Sequence, residues 1–146
     1  MKLFDFGFAI GTPSSGFLYD KAGTPRYMAP EVGLSLGYGI KSDVYSFGIL
    51  LWEISALETP FSTITSSHVF NKVVFMEEKR PALGAFWSDC MKELICSCWS
   101  TSPGERPTML NVKSSLRLAL GTINSGNGFR YRVPETKKRE GTERLG

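Results

Sequence analysis

The stretch KSDVYSFGILLWEISAL, residues 41–57, constrains the fold more than any other part of the sequence. Its apolar positions are spread around a helix, with Val44, Phe47, Leu51 and Ile54 on one face and Tyr45, Ile49, Leu50 and Trp52 over much of the rest. A helix that is apolar nearly all round is a buried one. Ser42 can cap its start, and Asp43 in the first turn has the sign that the helix dipole favours. The sequence therefore predicts a central core helix.

Shorter helices are predicted around this axis. They cover residues 29–34, about 66–75, 86–99 and a last stretch from Pro107 to about 120, with Gly121 as its stop. The clearest is 86–99, whose apolar stripe comprises Trp87, Met91, Leu94, Ile95 and Cys98. In the last helix, Met109, Val112, Leu116 and Leu120 are predicted to face inward. Residues 1–4 resemble the end of a short strand and 8–28 a long polar loop, so the fold class is mainly α.

The charge distribution argues against a nucleic-acid partner. The chain has 146 residues and a net charge of +3. Residues 129–146 contain six basic and three acidic side chains, which accounts for the whole excess, and the rest is neutral. We expect a folded part at 1–120 and a disordered basic tail at 121–146, which is either solvated or in contact with an acidic partner.

Cysteine spacing argues against a zinc or redox site, and hydropathy argues against a membrane span in these residues. Cys96 and Cys98 are separated by one residue, which is not the spacing of a zinc or redox pair, so Cys90 and Cys98 are interpreted as buried packing residues. The longest apolar run, Ile49 to Trp52, is far shorter than the roughly 20 residues of a membrane span. We expect an intracellular, cytoplasmic chain, and the residues leave open a membrane anchor in a longer parent protein.

Four short motifs occur in a fixed order along the chain. They are DFG at 5–7, GTPRYMAPE at 23–31, SDVYSFG at 42–48 and CWSTSPGERP at 98–107. In this order they resemble the eukaryotic protein kinases from the D-F-G motif onward. The similarity covers residues 1 to about 120. The sequences DVYSFGILLWEI and RYMAPE are most similar to those of the tyrosine-kinase-like group of serine/threonine kinases. It implies the helical C-terminal lobe of the bilobal α+β kinase fold, without the N-terminal lobe and the catalytic loop.

The resemblance implies ATP and Mg²⁺ as cofactors. Asp5 corresponds to the aspartate that holds Mg²⁺ against the ATP phosphates. Phe6 corresponds to the residue that packs behind it, and Gly7 to the glycine that permits the sharp turn. Asp5 is thus the expected metal ligand, and all three residues are expected in the cofactor site.

The resemblance makes the loop after Gly7 an activation segment. Thr12, Ser14, Ser15 and Tyr19 are its candidate phosphorylation sites, although most loop hydroxyls are merely solvated. Thr24 corresponds to the threonine that contacts the catalytic base and lysine in Ser/Thr-directed kinases. Arg26 and Tyr27 stand where tyrosine-directed kinases usually carry a tryptophan, which favours a protein substrate with Ser or Thr.

Three charged residues are expected to have structural roles. Glu31 and Arg106 correspond to the buried ion pair that ties the activation segment to the base of the lobe. Asp43 corresponds to the aspartate that binds the catalytic-loop backbone, and its charge also suits a helix N-terminus. His68 fits no catalytic neighbourhood and is interpreted as a surface or packing residue.

These 146 residues lack the other half of a kinase site. They contain no H-R-D sequence and no G-x-G-x-x-G sequence. We therefore expect the complete protein, with the N-terminal lobe as partner, to be an ATP-dependent Ser/Thr kinase, and residues 1–146 alone to be inactive. The alternative is a non-catalytic truncated lobe that acts as a protein-interaction or regulatory module.

Overall fold

The computed structural model describes residues 6–11 and 16–122. Five α-helices occur in these ranges: α1 Pro30–Gly33, α2 Lys41–Ala56, α3 Ser67–Phe70, α4 Asp89–Cys98 and α5 Met109–Thr122. Two 3₁₀ turns, Pro25–Tyr27 and Pro103–Glu105, and a π-helical turn, Asn71–Met76, complete the regular structure. The only extended pairing in the described residues is a single antiparallel bridge between Leu18 and Tyr38. The mainly α fold class is confirmed.

Helix α2 is the axis of the fold, as predicted, but it is buried on one side and not nearly all round. Its buried residues are Val44, Tyr45, Gly48, Ile49 and Trp52. Ile54 is 52% exposed, so the prediction of burial nearly all round was wrong at this position. The reason is the close approach of α4 at Gly48, where an added Cβ would lie 2.7 Å from Cys98 Cβ. Only glycine permits this contact. The side of α2 that contains Gly48 therefore packs against α4, although Gly48 contributes no apolar side chain.

The N-terminus of α2 also differs from the prediction. The helix begins after Ile40, and no side chain caps it. Ser42 lies in the first turn, where its hydroxyl donates to the Gly39 carbonyl oxygen. Ser42 therefore does not cap the helix, although it stabilises the turn that leads into it.

Helix α4 confirms its predicted stripe for Leu94, Ile95 and Cys98, all of which are buried. Burial raises the pKa of the Cys98 thiol to about 11, so at neutral pH it is an unreactive packing group. The prediction that Cys90 is buried was wrong, because this residue is exposed in the first turn of α4. The packed side of a short helix cannot accommodate every small apolar residue on it.

Helix α5 begins and ends later than the sequence predicted. Thr108 Oγ1 accepts a hydrogen bond from the Asn111 amide, so the helix starts at Met109 and not at Pro107. Met109 is largely exposed, and Val112 is the buried contact with α4. Gly121 does not stop the helix, which continues to Thr122. The predicted strand at 1–4 and most of the predicted tail lie outside the described residues.

Helix α1 is held against the π-helical turn by a glycine contact. An added Cβ at Gly33 would lie 2.1 Å from the Phe75 ring, so this ring packs directly on the helix backbone. Phe75 in turn packs edge-on against Phe70 with a centroid distance of 5.4 Å. This aromatic layer fixes α1 on the lobe. No helix within 6–11 and 16–122 has the length and apolarity to cross a membrane.

Candidate functional site

The predicted site residues fall into two groups. Asp5, Thr12, Ser14 and Ser15 lie outside the described residues. Phe6, Gly7, Tyr19, Thr24, Glu31, Asp43 and Arg106 lie within them. For the first group the structure gives no position, and their roles stay predictions.

Phe6 and Asp43 line one cavity of about 560 Å³, although they are distant in sequence. Phe6 is 70% exposed, and its carbonyl oxygen accepts a hydrogen bond from the Ala9 amide at 2.9 Å, which closes the turn that includes Gly7. Asp43 is exposed in the first turn of α2. The segment that follows Asp5 and the start of the central helix therefore face the same space.

No cluster of three or more His, Cys, Asp or Glu side chains that could hold a metal ion occurs among residues 6–11 and 16–122. The predicted magnesium ligand, Asp5, precedes the first of these residues. The role of Asp5 as a magnesium ligand therefore stays a prediction.

The loop that contains Thr24 is held by three side-chain hydrogen bonds, two to α2 and one to the segment that follows this helix. Ser46 Oγ donates to the Tyr27 carbonyl oxygen at 2.7 Å, and Tyr27 Oη donates to Glu53 Oε2 at 2.8 Å. Arg26 Nη1 donates to the Pro60 carbonyl oxygen at 2.7 Å. We refer to residues 24–28 as the substrate loop, after its counterpart in the resemblance. Thr24 is exposed at its start, and its carbonyl oxygen accepts from the Tyr27 amide.

Sequence reasoning named Tyr27 only for its bearing on specificity, and it missed Ser46 and Glu53 as parts of this site. The available signal was their spacing, since Ser46 and Glu53 are seven residues apart on α2 and therefore two turns apart on one face. Partial burial raises the pKa of Tyr27, and the bond to the Glu53 carboxylate adds to the rise. Tyr27 consequently remains a hydrogen-bond donor to Glu53 throughout the neutral pH range.

The ion pair that the sequence predicts between Glu31 and Arg106 is present. Arg106 Nη1 donates to Glu31 Oε1 at 2.6 Å and Arg106 Nη2 to Glu31 Oε2 at 2.8 Å. Arg106 is 1% exposed and Glu31 7%. Two parallel bonds between a guanidinium and a carboxylate are the strongest geometry for such a pair. The pair joins α1 to the loop before α5, although 75 residues separate the partners.

Every N–H group of the Arg106 guanidinium has an acceptor. Besides the two bonds to Glu31, its Nε donates to the Ser100 carbonyl oxygen at 2.8 Å, and its terminal nitrogens donate to the carbonyl oxygens of Lys41 at 3.0 Å and Thr101 at 3.3 Å. The Lys41 ammonium donates back to the Arg106 carbonyl oxygen. A buried guanidinium offers five donors, and all five are satisfied here. The desolvation cost of burying the charge is thereby offset.

Tyr45 lies against this ion pair. The guanidinium carbons of Arg80 and Arg106 are each 5.1 Å from the centre of its ring. Its hydroxyl is buried and has no hydrogen-bond partner within the described ranges. Burial raises the pKa of Tyr45 to about 12, while the two arginines act in the opposite direction. The ring therefore contributes through stacking, and the hydroxyl contributes little.

We expect the substitution Glu31→Gln to lower the free energy of unfolding by about 3 kcal/mol, because it leaves the buried Arg106 charge without a counter-ion. Urea denaturation measures this loss. The matched control is Glu77→Gln, which removes an exposed ion pair with Lys72 at 3.7 Å and should change stability by less than about 0.5 kcal/mol. Equal losses of stability in the two variants would contradict the claim that the buried pair stabilises the fold.

We expect Tyr45→Phe to flatten the loss of stability at alkaline pH. An unfolded tyrosine ionises near pH 10, whereas the folded Tyr45 does so near 12. The stability that Tyr45 contributes is therefore complete below pH 10 and is lost between pH 10 and 12, by up to about 1.4 kcal/mol per pH unit. Since Cys98 titrates in both proteins, the difference between their urea denaturation profiles from pH 7 to 12 isolates Tyr45. Identical profiles would contradict this account.

Comparison with known proteins agrees with this architecture. The sequence model for "Protein tyrosine and serine/threonine kinase" matches residues 1–116. The chain is 40% identical over 114 residues to the dual specificity protein kinase shkD of Dictyostelium discoideum, a match that covers 77% of this chain and 15% of that protein. It is 36% identical over 119 residues to the serine/threonine-protein kinase CTR1 of Arabidopsis thaliana, covering 80% of this chain and 14% of that protein.

A third relative is the putative mitogen-activated protein kinase kinase kinase 7-like protein of Drosophila melanogaster, 39% identical over 122 residues, covering 80% of this chain and 30% of the relative. The chain thus spans less than a third of the length of each of these relatives. Protein kinases in general use ATP and Mg²⁺ and act on proteins. The predicted resemblance, including its likeness to the tyrosine-kinase-like group, is confirmed. This chain belongs to the protein tyrosine and serine/threonine kinase family.

Proposed function

We propose that the protein containing these residues transfers the γ-phosphoryl group of ATP to Ser and Thr hydroxyls of other proteins. The observation that carries the proposal is the fixed position of the substrate loop. Two side-chain hydrogen bonds join it to helix α2 and a third joins it to Pro60, and Glu31 of the buried ion pair follows three residues after it. Phosphoryl transfer depends almost entirely on positioning and electrostatic stabilisation, so a rigid loop beside the reaction centre suits this chemistry.

Asp5 is the proposed magnesium ligand of the site. When bound, Mg²⁺ neutralises the charge that develops on the phosphate oxygens. Phe6 would orient the turn from behind Asp5, and Gly7 would permit its sharp bend. The common cavity of Phe6 and Asp43 supports this arrangement, because it brings the start of α2 to the side of the metal-binding turn.

The substrate loop is proposed to receive the acceptor segment of a protein substrate. Thr24 is exposed at its start, and we propose that its hydroxyl contacts the catalytic base and lysine supplied by other parts of the protein. The Arg26-Tyr27 pair supports Ser/Thr specificity, since tyrosine-directed kinases usually carry tryptophan there. The relatives include proteins named as serine/threonine kinases and others named as dual specificity kinases, so the acceptor residue is the finer part of the proposal.

The remaining parts of the proposal concern organisation. We propose that residues 1–120 form part of the C-terminal lobe and that 121–146 follow it as a separate basic tail. We also propose that the protein acts in the cytoplasm. Because the 146 residues contain no H-R-D sequence and no G-x-G-x-x-G sequence, this polypeptide alone should have no transferase activity.

A second function is favoured by one observation. Four apolar side chains that line the cavity shared with Asp43 are exposed: Phe6, Phe8, Ile10 and Ile40. An exposed apolar patch of this kind marks an interaction surface. If the polypeptide acts without a catalytic loop, it would act as a non-catalytic interaction module through this face.

The test is phosphate transfer from radiolabelled ATP to casein by the complete protein that contains these residues. We expect label on Ser and Thr, and a loss of rate of at least about 100-fold in Asp5→Asn, because one preorganised electrostatic group is typically worth that much. Asp89→Asn, at the exposed start of α4, is the matched control and should retain the parent rate. Label on Tyr alone would overturn the specificity. Equal activity of both variants, or activity of residues 1–146 alone, would overturn the mechanism.

A further inference from the structure

The glycine-rich sequence LGYG at 36–39 has no part in the function proposed above. It lies in the loop 34–40 between α1 and α2, directly against residues 16–22 of the activation segment. The Leu18 amide donates to the Tyr38 carbonyl oxygen at 2.8 Å, and the Tyr38 amide donates to the Leu18 carbonyl oxygen at 2.9 Å. This reciprocal pair is the antiparallel bridge of the fold.

Two side chains reinforce the bridge. Tyr38 Oη donates to the Asp20 carbonyl oxygen at 2.6 Å. Lys21 Nζ donates to the Gly33 carbonyl oxygen at 2.9 Å, at the last residue of α1, and lies 5.7 Å from the centre of the Phe75 ring. A cation suits this position because the C-terminal end of a helix carries partial negative charge.

The glycines on either side of Tyr38 permit the close approach. An added Cβ at Gly37 would lie 3.2 Å from the Tyr19 ring, and one at Gly39 would lie 3.1 Å from the Gly16 carbonyl oxygen. Both distances are tighter than ordinary van der Waals contact. A side chain at either position would require its neighbour, the Tyr19 ring or the Gly16 backbone, to move by a few tenths of an ångström.

We propose that Tyr38 is a positioning residue that closes a clasp, formed by loop 34–40, on residues 16–22 of the activation segment. Each of the hydrogen bonds described here ends on a backbone carbonyl oxygen, an acceptor that needs no modification of the chain. The clasp therefore holds this half of the segment in place in the unmodified chain. It fixes the approach to Thr24, which lies only two residues beyond 22. The clasp itself is inferred from contacts within this chain. Its effect on substrate binding rests on the proposed function.

The first test is hydrogen–deuterium exchange of residues 1–146 without nucleotide. We expect Tyr38→Phe to speed exchange of the peptides covering 16–22 and 34–40 by about 2- to 10-fold, the effect of removing one hydrogen bond. Lys21→Gln should have the same direction of effect. The matched control is Tyr19→Phe, which removes a neighbouring, largely exposed hydroxyl and should leave exchange unchanged. Exchange of the α2 peptides and the thermal midpoint should be the same in all variants, which separates local positioning from general unfolding.

The clasp would be overturned if Tyr19→Phe speeded exchange as much as Tyr38→Phe does. It would also be overturned if the amides of 16–22 exchanged without protection in the parent chain. The second test measures kinetics in the complete protein. There Tyr38→Phe should raise KM for the protein substrate by about 2- to 10-fold and leave KM for ATP unchanged. A change confined to KM for ATP would overturn the positioning role. The exchange experiment does not depend on phosphate transfer. If residues 16–22 are protected from exchange but the complete protein has no kinase activity, only the proposed function is overturned.

Discussion

The buried guanidinium of Arg106 joins three parts of the chain that are distant in sequence. It binds Glu31 in α1, the Lys41 carbonyl oxygen at the start of α2, and the carbonyl oxygens of Ser100 and Thr101 in the loop before α5. An arginine buried with all of its donors satisfied tolerates little displacement of any partner, because a lost carbonyl bond leaves a buried N–H group unpaired and loss of Glu31 leaves the charge without a counter-ion. The relative placement of α1, α2 and the 100–101 loop therefore follows from one side chain.

That constraint extends to the proposed function through the substrate loop, residues 24–28. Its C-terminal end runs into α1, which Arg106 holds through Glu31. Its middle is bonded to α2 through Tyr27, and the segment before it is held by the clasp at Tyr38. A loop fixed before, along and after its course is preorganised, and preorganisation is the main protein contribution to phosphoryl transfer.

Sequence reasoning predicted the features that motifs or strong patterns specify. The mainly α class, the central helix and the contact between Glu31 and Arg106 were all predicted. It failed where packing and not pattern decides: an all-apolar helix does not indicate its own contact face, and Gly48, the residue that decides it, carries no hydrophobic signal. Cys90 was misplaced for the same reason. The bond from Tyr27 to Glu53 spans 26 residues, and only the folded loop brings these side chains together.

The most direct test of this account is a double-mutant cycle of urea denaturation on Glu31→Gln, Arg106→Met and the double variant. If the pair joins α1 to the rest of the lobe, the double variant should be less destabilised than the sum of the single variants, with a coupling energy of about 1–3 kcal/mol. A coupling energy near zero would show that the two side chains contribute independently, and it would contradict the claim that their bond positions the substrate loop.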